Sequence, residues 1–116
     1  MPFDSLYRAT NGKYYVAGGS GVYESPDTIS WKLIPSSPRS IYVEGDGTTM
    51  FTSTKECDGP GCQPYYSAKE SDPSKWTPYP VPSEMLRGGW LLHYDPDHHF
   101  LYSSNEWGGF WRVRTK

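Results

Sequence analysis

The sequence predicts an all-β chain built from antiparallel four-stranded units, and three observations carry that expectation. The chain has 12 glycines and 11 prolines in 116 residues, spread so evenly that a helix has almost nowhere to run. Aromatic residues make up 16% of it, and Tyr, Trp and Phe favour half-buried pleated surfaces. Finally, Asp27-Thr28-Ile29-Ser30-Trp31 returns 45 residues later as Asp72-Pro73-Ser74-Lys75-Trp76. Each copy follows a tyrosine-bearing strand and leads into a short segment closed by proline, at Pro35 and Pro80. A period of that size, with short strands throughout, is the period of a β-propeller blade.

Taken in order, Ser5 to Ala9 and Lys13 to Ala17 form a hairpin about Asn11-Gly12, the strongest short-range hairpin signal. A glycine-rich turn at Gly18-Gly19-Ser20-Gly21 leads to a third strand, Val22 to Ser25, and Trp31 to Pro35 makes the fourth. The second unit repeats the plan: Ser40 to Glu44, a turn at Asp46-Gly47, Thr49 to Thr52, Tyr65 to Ala68 and Trp76 to Pro80. Its loop from Thr54 to Pro64 is an insertion. The third unit offers Trp90 to Tyr94, a turn at Asp95-Pro96-Asp97-His98, Phe100 to Ser103 and Phe110 to Val113, one strand short. The longest breaker-poor stretches, Thr48 to Asp58 and Asp97 to Trp107, read as strand plus loop because Thr, Phe, Tyr and Ser dominate them.

One domain is expected over residues 1–116, with blades at about 3–36, 38–82 and 88–116, the last lacking its outer strand. Strands that are apolar on both faces, such as Tyr14-Tyr15-Val16-Ala17 and Phe100-Leu101-Tyr102, suit blades covered on both sides better than sandwich strands. The competing fold is a small irregular β-sandwich or barrel of about ten strands. Propellers close with about four to eight blades, so fewer than three cannot close alone. Additional blades from a longer chain, or self-association, are therefore expected.

A net charge of −2 supplies no basic stripe for phosphates, so nucleic acid is not an expected partner. No apolar run is long enough to span a bilayer, and Met1-Pro2-Phe3-Asp4 is not a signal peptide. Cys57 and Cys62 flank a turn-forming Asp-Gly-Pro-Gly, and either pair as a disulfide or remain two free thiols. The disulfide would contribute about 2 kcal/mol and imply a secreted or extracellular setting.

Ser25-Pro26-Asp27-Thr28-Ile29-Ser30-Trp31 resembles the Asp-box, the Ser-x-Asp-x-Gly-x-Thr-Trp turn of sialidase-like (BNR-repeat) β-propellers. The turn is one residue short, and Ile29 stands where the family has glycine; in the second copy Glu70 takes the serine position and Ser74 the glycine position. Asp95-Pro96-Asp97 before Phe100-Leu101-Tyr102 looks like the final blade of such a protein. The resemblance implies structural roles for Ser25, Asp27, Trp31, Asp72 and Trp76, on the side away from the usual ligand site. Independently of the family, a carboxylate opening a tight turn accepts backbone N–H bonds, and an inward tryptophan buries area worth about 2 to 3 kcal/mol.

Function is expected on the loops joining strand two to three and strand four to the next unit, which share one face. Those loops carry Arg39, Glu56, Asp58, Arg87, Asn105, Glu106 and Trp107. Arginine, acid and aromatic together suit a sugar, which offers hydroxyls at its edge and an apolar face for stacking. The resemblance implies carbohydrate binding or a part in a glycan-processing site; the alternative is a non-catalytic protein-interaction scaffold. A sialidase needs an arginine cluster, a tyrosine nucleophile and an aspartate acid/base, and no motif assigns them here. Glycosidase activity therefore stays an open expectation for a longer parent. His93 and His99 bracket the third hairpin and raise a metal reading, yet Asp-Pro-Asp-His is sufficient as a turn. No cofactor or resident metal is expected: there is no phosphate-binding glycine loop before a helix, no Gly-x-Ser-x-Gly elbow and no zinc-finger spacing.

Overall fold

The computed structural model describes residues 5–54, 63–82, 89–105 and 109–116, with backbone alone for Gly89 and Trp90. Among them there is no helix; eleven strands form three antiparallel sheets. Sheet 1 is β1 (Leu6–Arg8), β2 (Tyr14–Ala17), β3 (Val22–Ser25) and β4 (Lys32–Leu33). Sheet 2 is β5 (Tyr42–Gly45), β6 (Thr49–Ser53), β7 (Tyr65–Lys69) and β8 (Thr77–Pro78). Sheet 3 is β9 (Gly89–Asp95), β10 (Phe100–Asn105) and β11 (Gly109–Arg114). In each sheet the strands lie in chain order, as the sequence predicts.

The hairpins show why the turns fall where they do. Ala9 N–H donates to Lys13 O at 2.9 Å, and Gly12 takes a left-handed φ of 84° between them. This is a three-residue loop that only glycine enters without strain. In the second unit Asp46 Oδ1 accepts from Thr48 N and Thr49 N at 2.9 and 2.8 Å. In the third, Asp95 Oδ1 accepts from Asp97 N at 2.9 Å, and His99 occupies the left-handed position at φ 58°. β4 and β8 are shorter than the sequence suggests, two residues each instead of five. Pro78 has no N–H to extend the ladder, and short outer strands leave little edge unpaired.

The sheets pack in sequence with their first strands adjacent, β1 beside β5 and β5 beside β9. Between sheets 1 and 2 lie Ala9, Tyr15, Val22, Ile34, Val43 and Met50, with Tyr7 and Trp76 against them. Between sheets 2 and 3 lie Phe51, Tyr65, Leu92 and Leu101, flanked by Tyr42, Tyr79 and Trp111. β6 is therefore covered on both faces, and every residue from Met50 to Ser53 is buried. Sheet 3 departs from the expectation of two-sided burial: Leu92 is buried while Leu91 is exposed, and β10 alternates. Only one face of it meets another sheet among the described residues.

Polar links reinforce the junctions. Ser5 Oγ both donates to Val43 O and accepts from Val43 N, at 3.1 and 3.0 Å. Glu70, 6% exposed, accepts from Tyr7 OH, from Thr10 N at 2.9 Å and from Thr10 Oγ1 at 2.6 Å. A buried carboxylate is tolerated only with donors of this kind. Here sheet 1 supplies all three.

Candidate functional site

The turn from Ser25 to Trp31 is closed by its own side chains. Asp27 Oδ1 accepts from Ile29 N and Ser30 N, both at 2.9 Å, and from Ser25 Oγ at 3.0 Å. Ser25 Oγ in turn accepts from Thr28 N at 2.8 Å. Those donors hold the Asp27 carboxyl below its ordinary range, the Ser30 and Ile29 amides contributing most. The left-handed residue is Thr28, at φ 68°, one place before the Ile29 that stands in the glycine position of the Asp-box. In the second copy Asp72 Oδ1 accepts from Ser74 Oγ at 2.9 Å.

The two tryptophans differ. Trp76 packs against the core between sheets 1 and 2, as expected for an inward indole. Trp31 does not reach either core; it is half-buried, and its indole N–H donates to Thr28 O at 3.2 Å. The physical reason is position. Trp76 has sheet 1 in front of it, whereas no described sheet lies in front of Trp31.

On the loop edge, three connections meet around a cavity of about 520 Å³. Gly19 comes from the β2–β3 turn, Arg39 and Ser40 from the β4–β5 link, and Thr54 and Gln63 from the two ends of the β6–β7 loop; Tyr66 lies at its wall. The frame is held by backbone: Gly19 N donates to Ser40 O at 3.0 Å, and Thr54 N to Pro64 O at 2.9 Å. Arg39 Nε donates to Gly19 O at 3.4 Å, which steers an otherwise exposed guanidinium along the rim. The Gln63 amide is pinned by Tyr65 O at 2.7 Å and Tyr79 O at 2.9 Å. A second, smaller cleft of about 110 Å³ lies between sheets 2 and 3, lined by Tyr79, Val81, Leu92, Leu101 and Trp111. Its walls are almost wholly apolar, so it offers nothing to a hydroxylated ligand.

Arg39 is thus at the cavity. Asn105 is elsewhere: it is buried between sheets 2 and 3, where its Oδ1 accepts from Tyr65 OH at 2.9 Å and Ser103 Oγ at 2.6 Å. Burial raises the ionisation of Tyr65 above its ordinary value, so its hydroxyl stays a donor across the physiological range. Asn105 is a link between sheets and the last residue of β10; the sequence reading ended that strand at Ser103 and so counted Asn105 as loop. Glu56, Asp58, Arg87, Glu106, Trp107 and the pair Cys57 and Cys62 lie outside the described residues. Tyr66 and Gln63 were missed by sequence reasoning. For Tyr66 a signal existed: in a period-two strand, adjacent Tyr65 and Tyr66 must face opposite ways.

The arginines do not converge. Arg8 lies over the Tyr14 ring of sheet 1, 5.8 Å from its centroid, while Arg112 and Arg114 lie 4.6 and 4.8 Å from that of Phe100 in sheet 3. With Arg39 at the cavity, the four described arginines sit on three surfaces. Nor do the histidines gather: His99 Nδ1 shares a hydrogen bond with Tyr94 OH at 3.0 Å, and His98 Nδ1 pairs with Asp95 Oδ2 at 2.7 Å. No set of three or more metal-ligating side chains meets among the described residues.

No family model, no curated protein and no solved structure matches the chain. The functional reading therefore rests on the geometry above and on the residues themselves.

Proposed function

We propose that the three sheets are blades of a sialidase-like β-propeller, and that the cavity at their loop edge binds carbohydrate. Support for the blades comes from sheet order, adjacent first strands and the side-chain-closed turn at Asp27. The single observation that carries the ligand reading is the cavity of about 520 Å³, in which three loops bring a guanidinium, hydroxyls, an amide and the Tyr66 ring together. Sugars use that mixture: polar groups fix hydroxyls at the ring edge, and an aromatic face covers the apolar C–H patch. Catalysis by this chain is not part of the proposal, since the described arginines occupy separate surfaces.

The test is binding of the folded chain to a broad glycan panel, followed by titration of any hit against Arg39→Ala and Tyr66→Ala. Each substitution should weaken binding at least about tenfold, the loss of roughly one charged or stacking contact. Thermal midpoints should stay within a few degrees of the parent. Absence of binding across the panel, or binding indifferent to both substitutions, refutes the ligand reading.

A further inference from the structure

Ladder registers let the two sheet junctions be compared side chain by side chain, because partners across a ladder share a face. In sheet 2, Val43 pairs with Thr52, Thr52 with Tyr66 and Met50 with Ala68. In sheet 3, Leu92 pairs with Ser103, Ser103 with Trp111 and Leu101 with Val113. Val43 is buried toward sheet 1 and Leu92 toward sheet 2, so Ala68 and Val113 hold equivalent places on the two fronts. The opposing walls also correspond: Ile34 N donates to Val22 O, and Tyr79 N to Tyr65 O, both at 2.9 Å.

At the first junction an aromatic ring occupies the outer end of this wedge. The β7–β8 ladder, Tyr66 with Pro78 and Ser67 with Thr77, carries Trp76 to the place beside Ala68. Its indole packs against the core that contains Val22 and Ile34, and Ser36 Oγ donates to Ser74 O alongside. At the second junction the corresponding place, bordered by Tyr79, Val81 and Val113, is the cleft of about 110 Å³.

The cleft is shaped in advance. Phe51 meets Tyr79 edge to face at 5.3 Å and 88°, Gln63 Nε2 donates to Tyr79 O at 2.9 Å, and Tyr65 OH donates to Asn105 Oδ1 at 2.9 Å. Neither tyrosine can swing in to close the space without breaking those contacts. The Ser103 hydroxyl in the lining already bonds Tyr65 and Asn105. Arg112 borders the cleft, but its guanidinium lies over the Phe100 ring, 4.6 Å from the centroid, on the opposite face of the sheet. Water in such a space finds few partners, so an apolar ring displaces it at a gain.

We propose that this cleft binds an uncharged aromatic small molecule of the indole class, its ring standing where the Trp76 ring stands one junction earlier. An apolar cavity of about 150 Å³ accommodates benzene. The present cleft, about 110 Å³ with one open side, takes a single ring inside and leaves the rest of the molecule at its mouth. The inference uses the ladders and the cleft alone, and neither the blade reading nor the sugar reading enters it.

The probe is indole itself, titrated into the nitrogen-15-labelled chain. Amide signals of Val81, Trp111 and Val113 should shift and saturate with a dissociation constant at or below about 1 mM, within what a bicyclic ring can supply. Indole at about ten times that constant should also raise the thermal midpoint by a few degrees. Val113→Phe and Val81→Phe fill the cleft from opposite walls, and each should weaken binding at least about tenfold. Circular dichroism checks that both fold; Val113→Leu and Val81→Leu, which fill less, replace them if either does not. Absence of saturable shifts up to about 10 mM indole overturns the proposal. So do shifts confined to Gly19, Arg39 and Thr54 at the other cavity, or binding indifferent to both fills. A peptide of residues 72–80, the segment that fills the first junction, overturns it as well if it binds at the same amides more than about tenfold more tightly than indole, because the seat then belongs to a strand and not to a small molecule.

Discussion

Gly45→Ala is the most demanding test of the packing between the first two sheets. A Cβ at Gly45 falls 2.2 Å from Tyr7 Cζ and 2.5 Å from its Cε2, so the ring has to retreat by about 1.2 Å to reach ordinary contact. Tyr7 cannot retreat freely. Its hydroxyl donates to Glu70 and accepts from Gly47 N at 3.0 Å. The overpacking costs about 1–3 kcal/mol, and loss of a hydrogen bond to a buried carboxylate adds about 1.5–3 kcal/mol. A total of about 2.5–6 kcal/mol is expected, a large share of the about 5–15 kcal/mol by which domains are stable. Urea unfolding followed by circular dichroism measures it, with the m-value checked for constancy. Tyr7→Phe alone should cost only the hydrogen-bond part, and Gly45→Ala in that background only the packing part, so the two must be non-additive. A Gly45→Ala protein within 0.5 kcal/mol of the parent, or strict additivity, refutes the reasoning. The same contact has a pH signature. Burial, then Glu70, raises the Tyr7 ionisation above its ordinary value of 10.0. Its contribution is present in full below that value and is lost as pH rises beyond it, so Tyr7→Phe should flatten the alkaline limb of stability.

Three further substitutions probe the turns and the second junction. Thr28→Gly should stabilise by about 1 kcal/mol, because a β-branched residue at φ 68° is strained and glycine is not; thermal unfolding reads it. Asp27→Asn should remove part of the acid limb. The lowered carboxyl contributes stability above its unfolded value of 3.8 and loses it as pH falls through the folded one, so parent and variant should converge at low pH. Tyr65→Phe removes the hydrogen bonds of the Tyr65 hydroxyl to Asn105 and Ser103, which keep the one between them, and should cost about 1–3 kcal/mol in urea unfolding, with glycan titration unchanged.

What was legible in the sequence was local chemistry. Asn11-Gly12, Asp46-Gly47 and Asp95 mark turns because one side chain or one missing Cβ closes each within four residues, and the strand order follows from those turns. The Asp27 turn was legible for the same reason, down to its backbone donors. What depends on the neighbouring sheet was not. Leu91 and Leu92 look alike in the chain and separate only because sheet 2 covers one of them. Trp31 and Trp76 carry the same motif and differ by what stands in front. Asn105 read as loop because its partners Tyr65 and Ser103 converge only in three dimensions. Glu70 was visible as a departure from the serine position, but its partner Tyr7 is 63 residues away, beyond any local rule.

The two-sided burial of β6 bears on how the molecule comes apart. When each sheet touches only its neighbours, stability accumulates along a line, as in nearest-neighbour repeat arrays. Among the described residues, sheet 2 packs against a sheet on each side, and sheets 1 and 3 each pack against sheet 2. Opening therefore starts at the flanks, and the amides of Met50 to Ser53 exchange last, since releasing them requires both junctions to be lost. Tyr15 to Ala17 of β2 are buried as fully, so the slow-exchanging interior extends from sheet 2 into sheet 1.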